Sequence, residues 1–87
     1  MLHIIKTETS YQQALSYLSQ DDQMILVERA CYLVTDKNLT LPSSCFVLQP
    51  DLTARGLMPL VSDLTQVVDF NGFVELTEQH VSSTTWE

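Results

Sequence analysis

Basic residues are scarce in this chain. Eleven acids face only Lys6, Arg29, Lys37 and Arg55, for a formal net charge of −7. Four scattered cations cannot build the positive stripe that neutralises a phosphate backbone, so direct nucleic-acid binding is not expected. The same shortage disfavours anionic membrane surfaces. Long hydrophobic runs are missing too. None approaches the ~18 residues of a bilayer-crossing helix, and no signal-peptide pattern opens the sequence, which points to a cytoplasmic protein. Glycine occurs only at Gly56 and Gly72. A phosphate-cradling loop draws on several glycines close together, so nucleotide-binding fingerprints are absent and no cofactor is expected. Cysteine also occurs twice, at Cys31 and Cys45. One pair makes no disulfide framework, and in a reducing compartment both are thiols. His3, His80 and the two cysteines show no ligand spacing, so no metal is expected.

What the chain does have is apolar content without much charge to cover it. Hydrophobic residues make up 45% of the 87 and charged residues 17%. A chain of this length forms one domain, residues 1–87, and hides only roughly 60% of its unfolded surface. Few charges on a small domain leave apolar area over, which favours an oligomer or a partner subunit.

Apolar strand-like runs alternate with helical patterns, the signature of parallel strands joined by helices. Leu2 to Ile5 reads as a first strand. Ser10 and Gln13 read as a capping box, with Tyr11, Ala14, Leu15 and Leu18 on one face of a first helix. Met24 to Val27 is a continuous apolar run, as in a strand buried on both faces. A short second helix is predicted over Arg29 to Val34, followed by the turn Thr35-Asp36-Lys37-Asn38 and a loop broken by Pro42. Cys45 to Leu48 is a third strand. Pro50-Asp51 starts a third helix, with Asp51 and Arg55 spaced to pair and Gly56 as its stop.

The C-terminal stretch Val67-Val68-Asp69-Phe70-Asn71-Gly72-Phe73-Val74-Glu75-Leu76-Thr77-Glu78-Gln79-His80 passes from strand to helix without a linker. Gln66 to Val68 is the fourth strand and Asp69 an N-cap. Phe70, Phe73, Val74 and Thr77 fall on one helical face, with Phe70 and Phe73 expected in the core and His80 at a solvated helix end. The expected fold is a small three-layer α/β/α domain with a mainly parallel sheet of about four strands.

Candidate chemistry is thin. Cys31 follows the buried strand at the carboxyl edge of the sheet, in the first turn of the predicted second helix and near Arg29. That is where open α/β folds place their sites, and a helix N-terminus with a cation lowers a thiol pKa. The competing reading is a small buried hydrophobe, since no general base accompanies it. Cys45 lies inside a strand pattern, a poor place for a reactive thiol. The acids Glu28, Asp63, Asp69 and Glu75 are scattered, so acid–base hydrolysis has no support. Arg55 is either half of a local pair or a contact to a partner subunit. Trp86 either packs within the chain or anchors a subunit contact.

Three segments in order, Met1-Leu2-His3-Ile4-Ile5, Asp51-Leu52-Thr53-Ala54-Arg55-Gly56-Leu57 and the C-terminal stretch with Trp86, carry a likeness. The chain resembles the TusB/DsrH family of small sulfur-relay subunits, within the DsrE/DsrF/DsrH group. The resemblance implies a cytoplasmic relay in which three homologous small subunits form a heterohexamer, TusBCD or DsrEFH. There, persulfide sulfur passes along cysteines, toward 2-thiolation of a tRNA wobble uridine in one case and sulfur oxidation in the other. It further implies that the active cysteine belongs to a TusD-like partner, leaving this chain a non-catalytic scaffold beside TusC/TusD-like subunits. The cysteine that some DsrH-type members carry on the first helix is replaced here by Ala14. The Asp-Gly often found after the second strand is Arg29-Ala30, and residues 35–43 are shorter than usual in the family. The alternatives are an independent thiol or persulfide carrier using Cys31, and a self-associating relative outside the relay.

Overall fold

The computed structural model describes all 87 residues. Five strands form one sheet: β1 (Leu2–Ile5), β2 (Gln23–Leu26), β3 (Cys45–Leu48), β4 (Gln66–Val68) and β5 (Ser83–Trp86). Their spatial order is β4-β3-β2-β1-β5, and every neighbouring pair is parallel. The sheet thus has one strand more than expected. β5 lies where the sequence suggested a tail, docked on β1 with Leu2 opposite Ser83 and Ile5 opposite Trp86. Leu2 N–H donates to Ser82 at 3.1 Å and Lys6 N–H to Trp86 at 3.0 Å, closing both ends of the pairing. Two threonines and a tryptophan suit a pleated edge, although no apolar run announces one.

Strand alternation sends side chains to two faces. Ile5, Met24, Leu26, Cys45 and Val47 join Tyr11, Ala14, Ala30, Cys31, Leu52 and Leu57 in the main core. Leu2, Ile25 and Val27 point the other way, onto Leu76. The first face is covered by α1 (Glu8–Leu15), a 3₁₀ helix (Glu28–Thr35) and α2 (Gln49–Ala54), and the second by α3 (Phe70–Gln79).

The local starts and stops differ from expectation in instructive ways. α1 is capped by Thr7, not Ser10, because Thr7, two residues beyond β1, is the last extended residue before the helix; its Oγ1 accepts the Ser10 N–H at 3.0 Å. The second helix is 3₁₀ and begins at Glu28. Three residues per turn stack Ala30 on Leu33 and Cys31 on Val34, so both pairs turn inward. Glu28 enters it at φ +50°. That left-handed conformation costs about 1–2 kcal/mol for a residue with a Cβ, offset by the Glu28 N–H donating to Asp51 Oδ2 at 2.7 Å.

α2 ends as its sequence requires. Gly56 takes φ +67°, its N–H donates to the Thr53 carbonyl at 3.1 Å, and Leu57 N–H reaches the Leu52 carbonyl at 2.9 Å. This double bond pattern with two buried leucines is a Schellman stop. A 3₁₀ turn, Met58–Leu60, leads toward β4.

α3 begins where Asp69 Oδ1 accepts the Gly72 N–H at 2.7 Å. Its rotation, however, is not the one its apolar stripe suggested. Leu76 is buried, Gly72 and Phe73 are half-buried, and Phe70 is 61% exposed with Val74 and Thr77 also outside. Gly72 decides this. A Cβ built there would lie 2.9 Å from Val68 Cβ, so the helix lays its glycine against β4 and carries Phe70 outward. His80 is not a solvated end either: it is half-buried, with Nε2 2.7 Å from Gln23 Oε1.

Candidate functional site

The carboxyl edge of the sheet gathers three of the four cations. Lys6 Nζ lies 3.2 Å from Glu87 Oε1 and 3.5 Å from Glu28 Oε2. Those carboxylates, Glu87 first, raise the ammonium above its ordinary pKa. Arg29 reaches Glu8 at 3.9 Å and Arg55 reaches Asp51 at 3.4 Å. Each edge cation therefore already has an acid, which leaves a neutralised rim and no open pocket of positive charge.

Cys31 sits beneath this rim with no exposed surface. Burial pushes its thiol up from the ordinary value, and the Arg55 guanidinium is the main influence in the opposite direction. Arg29, the cation that sequence adjacency suggested, is 73% exposed and turned to Glu8. A thiol that is buried, raised and without an imidazole partner is packed as a small hydrophobe. Cys45 is buried as well, and desolvation pushes its thiol up to about 12. It forms part of the wall of a groove of about 600 Å³ between the loops around 36–43 and 60–66.

Both thiols are expected to react with a neutral aromatic disulfide at least about tenfold more slowly in the folded protein than in denaturant, because access requires local opening. Stopped-flow labelling checks this. A fast single-thiol phase in the native protein would mean that one cysteine is open.

Arg55 is half-buried: besides the carboxylate, its Nη1 donates to the Asp51 carbonyl at 3.3 Å. Trp86 is also half-buried, tilted against the Tyr17 ring at a centroid distance of 5.5 Å. Its Nε1–H donates to Nδ1 of His3 at 3.0 Å. His3 is buried, and its Nε2 lies 2.9 Å from Asp22 Oδ2. Asp22 Oδ1 takes the Met1 ammonium at 3.0 Å, and Oδ2 the Ser19 N–H at 3.1 Å. A histidine in the first strand is expected to be hydrogen-bonded and at least partly buried, as His3 is, but nothing local in the sequence names Asp22 and Trp86 as its partners.

The structure therefore brings His3, Asp22 and Trp86 together, and Cys31 near Arg55. Cys31 and Cys45 both lie in the main core, in different elements. No group of three or more histidine, cysteine and acidic residues could hold a metal ion. No helix is long and apolar enough to cross a membrane.

Comparison with known proteins matches residues 6–83 to the family described as DsrH like protein. Protein TusB of Escherichia coli strain K12 is 30% identical over 95 aligned positions, covering 99% of this chain and all of the relative. Protein TusB of Escherichia coli strain SMS-3-5 is 32% identical over 97 positions, and that of Buchnera aphidicola subsp. Baizongia pistaciae 28% over 95, each with the same coverage. These alignments are longer than the chain itself, so the relatives carry residues that it lacks. With a match spanning nearly its whole length, this chain belongs to the DsrH family.

Proposed function

We propose that the chain is a non-catalytic structural subunit of a cytoplasmic sulfur-transfer complex, of the TusBCD or DsrEFH kind. In that complex, persulfide sulfur is relayed toward 2-thiolation of a tRNA wobble uridine. Its partners are homologous small subunits, TusC- and TusD-like, in a heterohexamer, and residues 1–87 act as one domain within it. Family membership supplies the setting. The observation that carries the scaffold role is the state of the two thiols: both are buried and both are raised. A relay cysteine must meet a partner's sulfur as a thiolate, which neither environment favours.

Native mass spectrometry of the tagged chain from its own cells tests the assembly. Two copies each of this chain and two other small subunits are expected. A monomer or homodimer without companions would overturn the reading in favour of a self-associating relative. Replacement of Cys31 by alanine tests the role: wild-type levels of 2-thiouridine are expected in tRNA. Loss of the modification from a folded C31A protein would point instead to an independent persulfide carrier using Cys31.

A further inference from the structure

The two faces of the sheet are unequally covered. The main core contains eleven buried residues, and the cluster under α3 only four. Geometry explains the difference. Five strands at ~4.8 Å spacing make a surface roughly 19 Å across, and one helix of ~10–12 Å width cannot roof it. Ile4, Phe46, Leu48 and Val68 are left half-buried beside α3. Phe70 and Val74 extend this apolar surface along the outside of the helix, 61% and 38% exposed. Phe70 meets the half-buried Phe73 edge to face at 6.3 Å, so the helix stripe and the sheet surface are continuous.

The charge around the surface selects what can cover it. α3 carries Glu75 and Glu78, with Asp69 at its start, and no lysine or arginine. His80, at its other end, is turned in toward Gln23. Three of the chain's four cations are already paired at the carboxyl edge of the sheet. A second copy docked by the same face would set glutamates against glutamates around the stripe, with no cation from either helix to relieve them.

We propose that the outer stripe of α3 and the half-covered sheet beside it form the docking surface for a different protein, one presenting an apolar ridge flanked by lysine or arginine. This inference rests on the subunit reading above. The apolar area supplies the contact, and the acidic margin excludes self-pairing.

Site-specific photocrosslinking in the native host tests it. A photoreactive phenylalanine analogue replaces Val74 in one strain, and in another Tyr32, which is also exposed but lies in the layer on the opposite face. The expected product at position 74 joins this chain to a co-purifying small subunit, through a peptide containing lysine or arginine. Phe70→Asp is expected to lower its yield about tenfold, the scale of losing a central interface aromatic. Circular dichroism and Trp86 fluorescence confirm that the variant folds. A complex that crosslinks at 32 and not at 74 would overturn the docking surface while leaving the subunit reading intact. A crosslink at 74 between two copies of this chain would overturn the choice of partner. Absence of any complex would overturn both.

Discussion

Replacing His3 with alanine is expected to cost about 3 kcal/mol and to lower the melting temperature by roughly 12–24 °C. The imidazole is buried and engaged on both sides. An indole N–H can only donate, so the Nδ1 that faces Trp86 carries no proton. The ring proton then sits on Nε2 and points at Asp22. Alanine would strand an indole donor, remove the bond from Asp22 and open a cavity, each with its own penalty. A chain of this length holds only about 4–13 kcal/mol in total, so the loss is a large share. Thermal unfolding followed by Trp86 fluorescence measures it, and a fall of under about 4 °C, less than 1 kcal/mol by the same scaling, would remove the network from any account of stability.

The same network sets an acid limit. Asp22 is held well below the usual carboxylate range, first by the His3 bond, then by the Ser19 N–H and the N-terminal ammonium. A depressed folded pKa contributes stability that is fully present above the unfolded value of about 3.9 and is lost as pH falls through and below it. Stability should therefore hold from neutrality to about pH 5 and decline below about pH 4. In Asp22→Asn the acid decline should be shallower from a lower starting level.

The second large effect is expected at Gly72, where valine should destabilise by about 2–3 kcal/mol. Intrinsic helix preference predicts the opposite sign, because glycine is a weaker helix former than valine by a few tenths of a kcal/mol. Space overrides preference here. The first added carbon already lies 2.9 Å from Val68 Cβ, and 3.4 Å from both Val68 Cγ1 and Asp69 Oδ1. Those neighbours are a strand side chain and the helix cap itself, so the whole first turn of α3 must lift. Gly56→Ala provides the contrast. Nothing lies within 4 Å of its added carbon, and the cost of about 1 kcal/mol comes from φ +67° alone. Urea titration of the two variants separates overpacking from backbone strain.

These sites also show where the sequence stopped being legible. The first four strands stand out because apolar runs such as Met24 to Leu26 have no alternative to burial. β5 does not. It is an edge strand with Ser83 and Thr85 exposed and only Thr84 and Trp86 half-buried, so it has no run to detect. The stripe of Phe70, Phe73, Val74 and Thr77 gave α3 its existence but not its rotation. A glycine pressed on a valine is a packing fact with no hydrophobic signature. Cys31 reads as activatable while Arg29 is its presumed neighbour, but burial dominates its surroundings and raises it, and the cation that acts against this is Arg55, from the end of another helix. His3 and Trp86 are 83 positions apart, beyond any local pattern.

That separation has a temporal consequence. β1 is synthesised well ahead of β5, the later of its two partners. At about 5–20 residues per second, β1 waits several seconds with one row of backbone donors and acceptors unmatched. Sheets whose pairings span such distances also close slowly after synthesis. A nascent chain halted before Ser83 would present the open side of β1 to any extended segment nearby. Ribosome-bound intermediates of this protein should therefore be captured by chaperones that recognise exposed strands, and released once Trp86 has emerged.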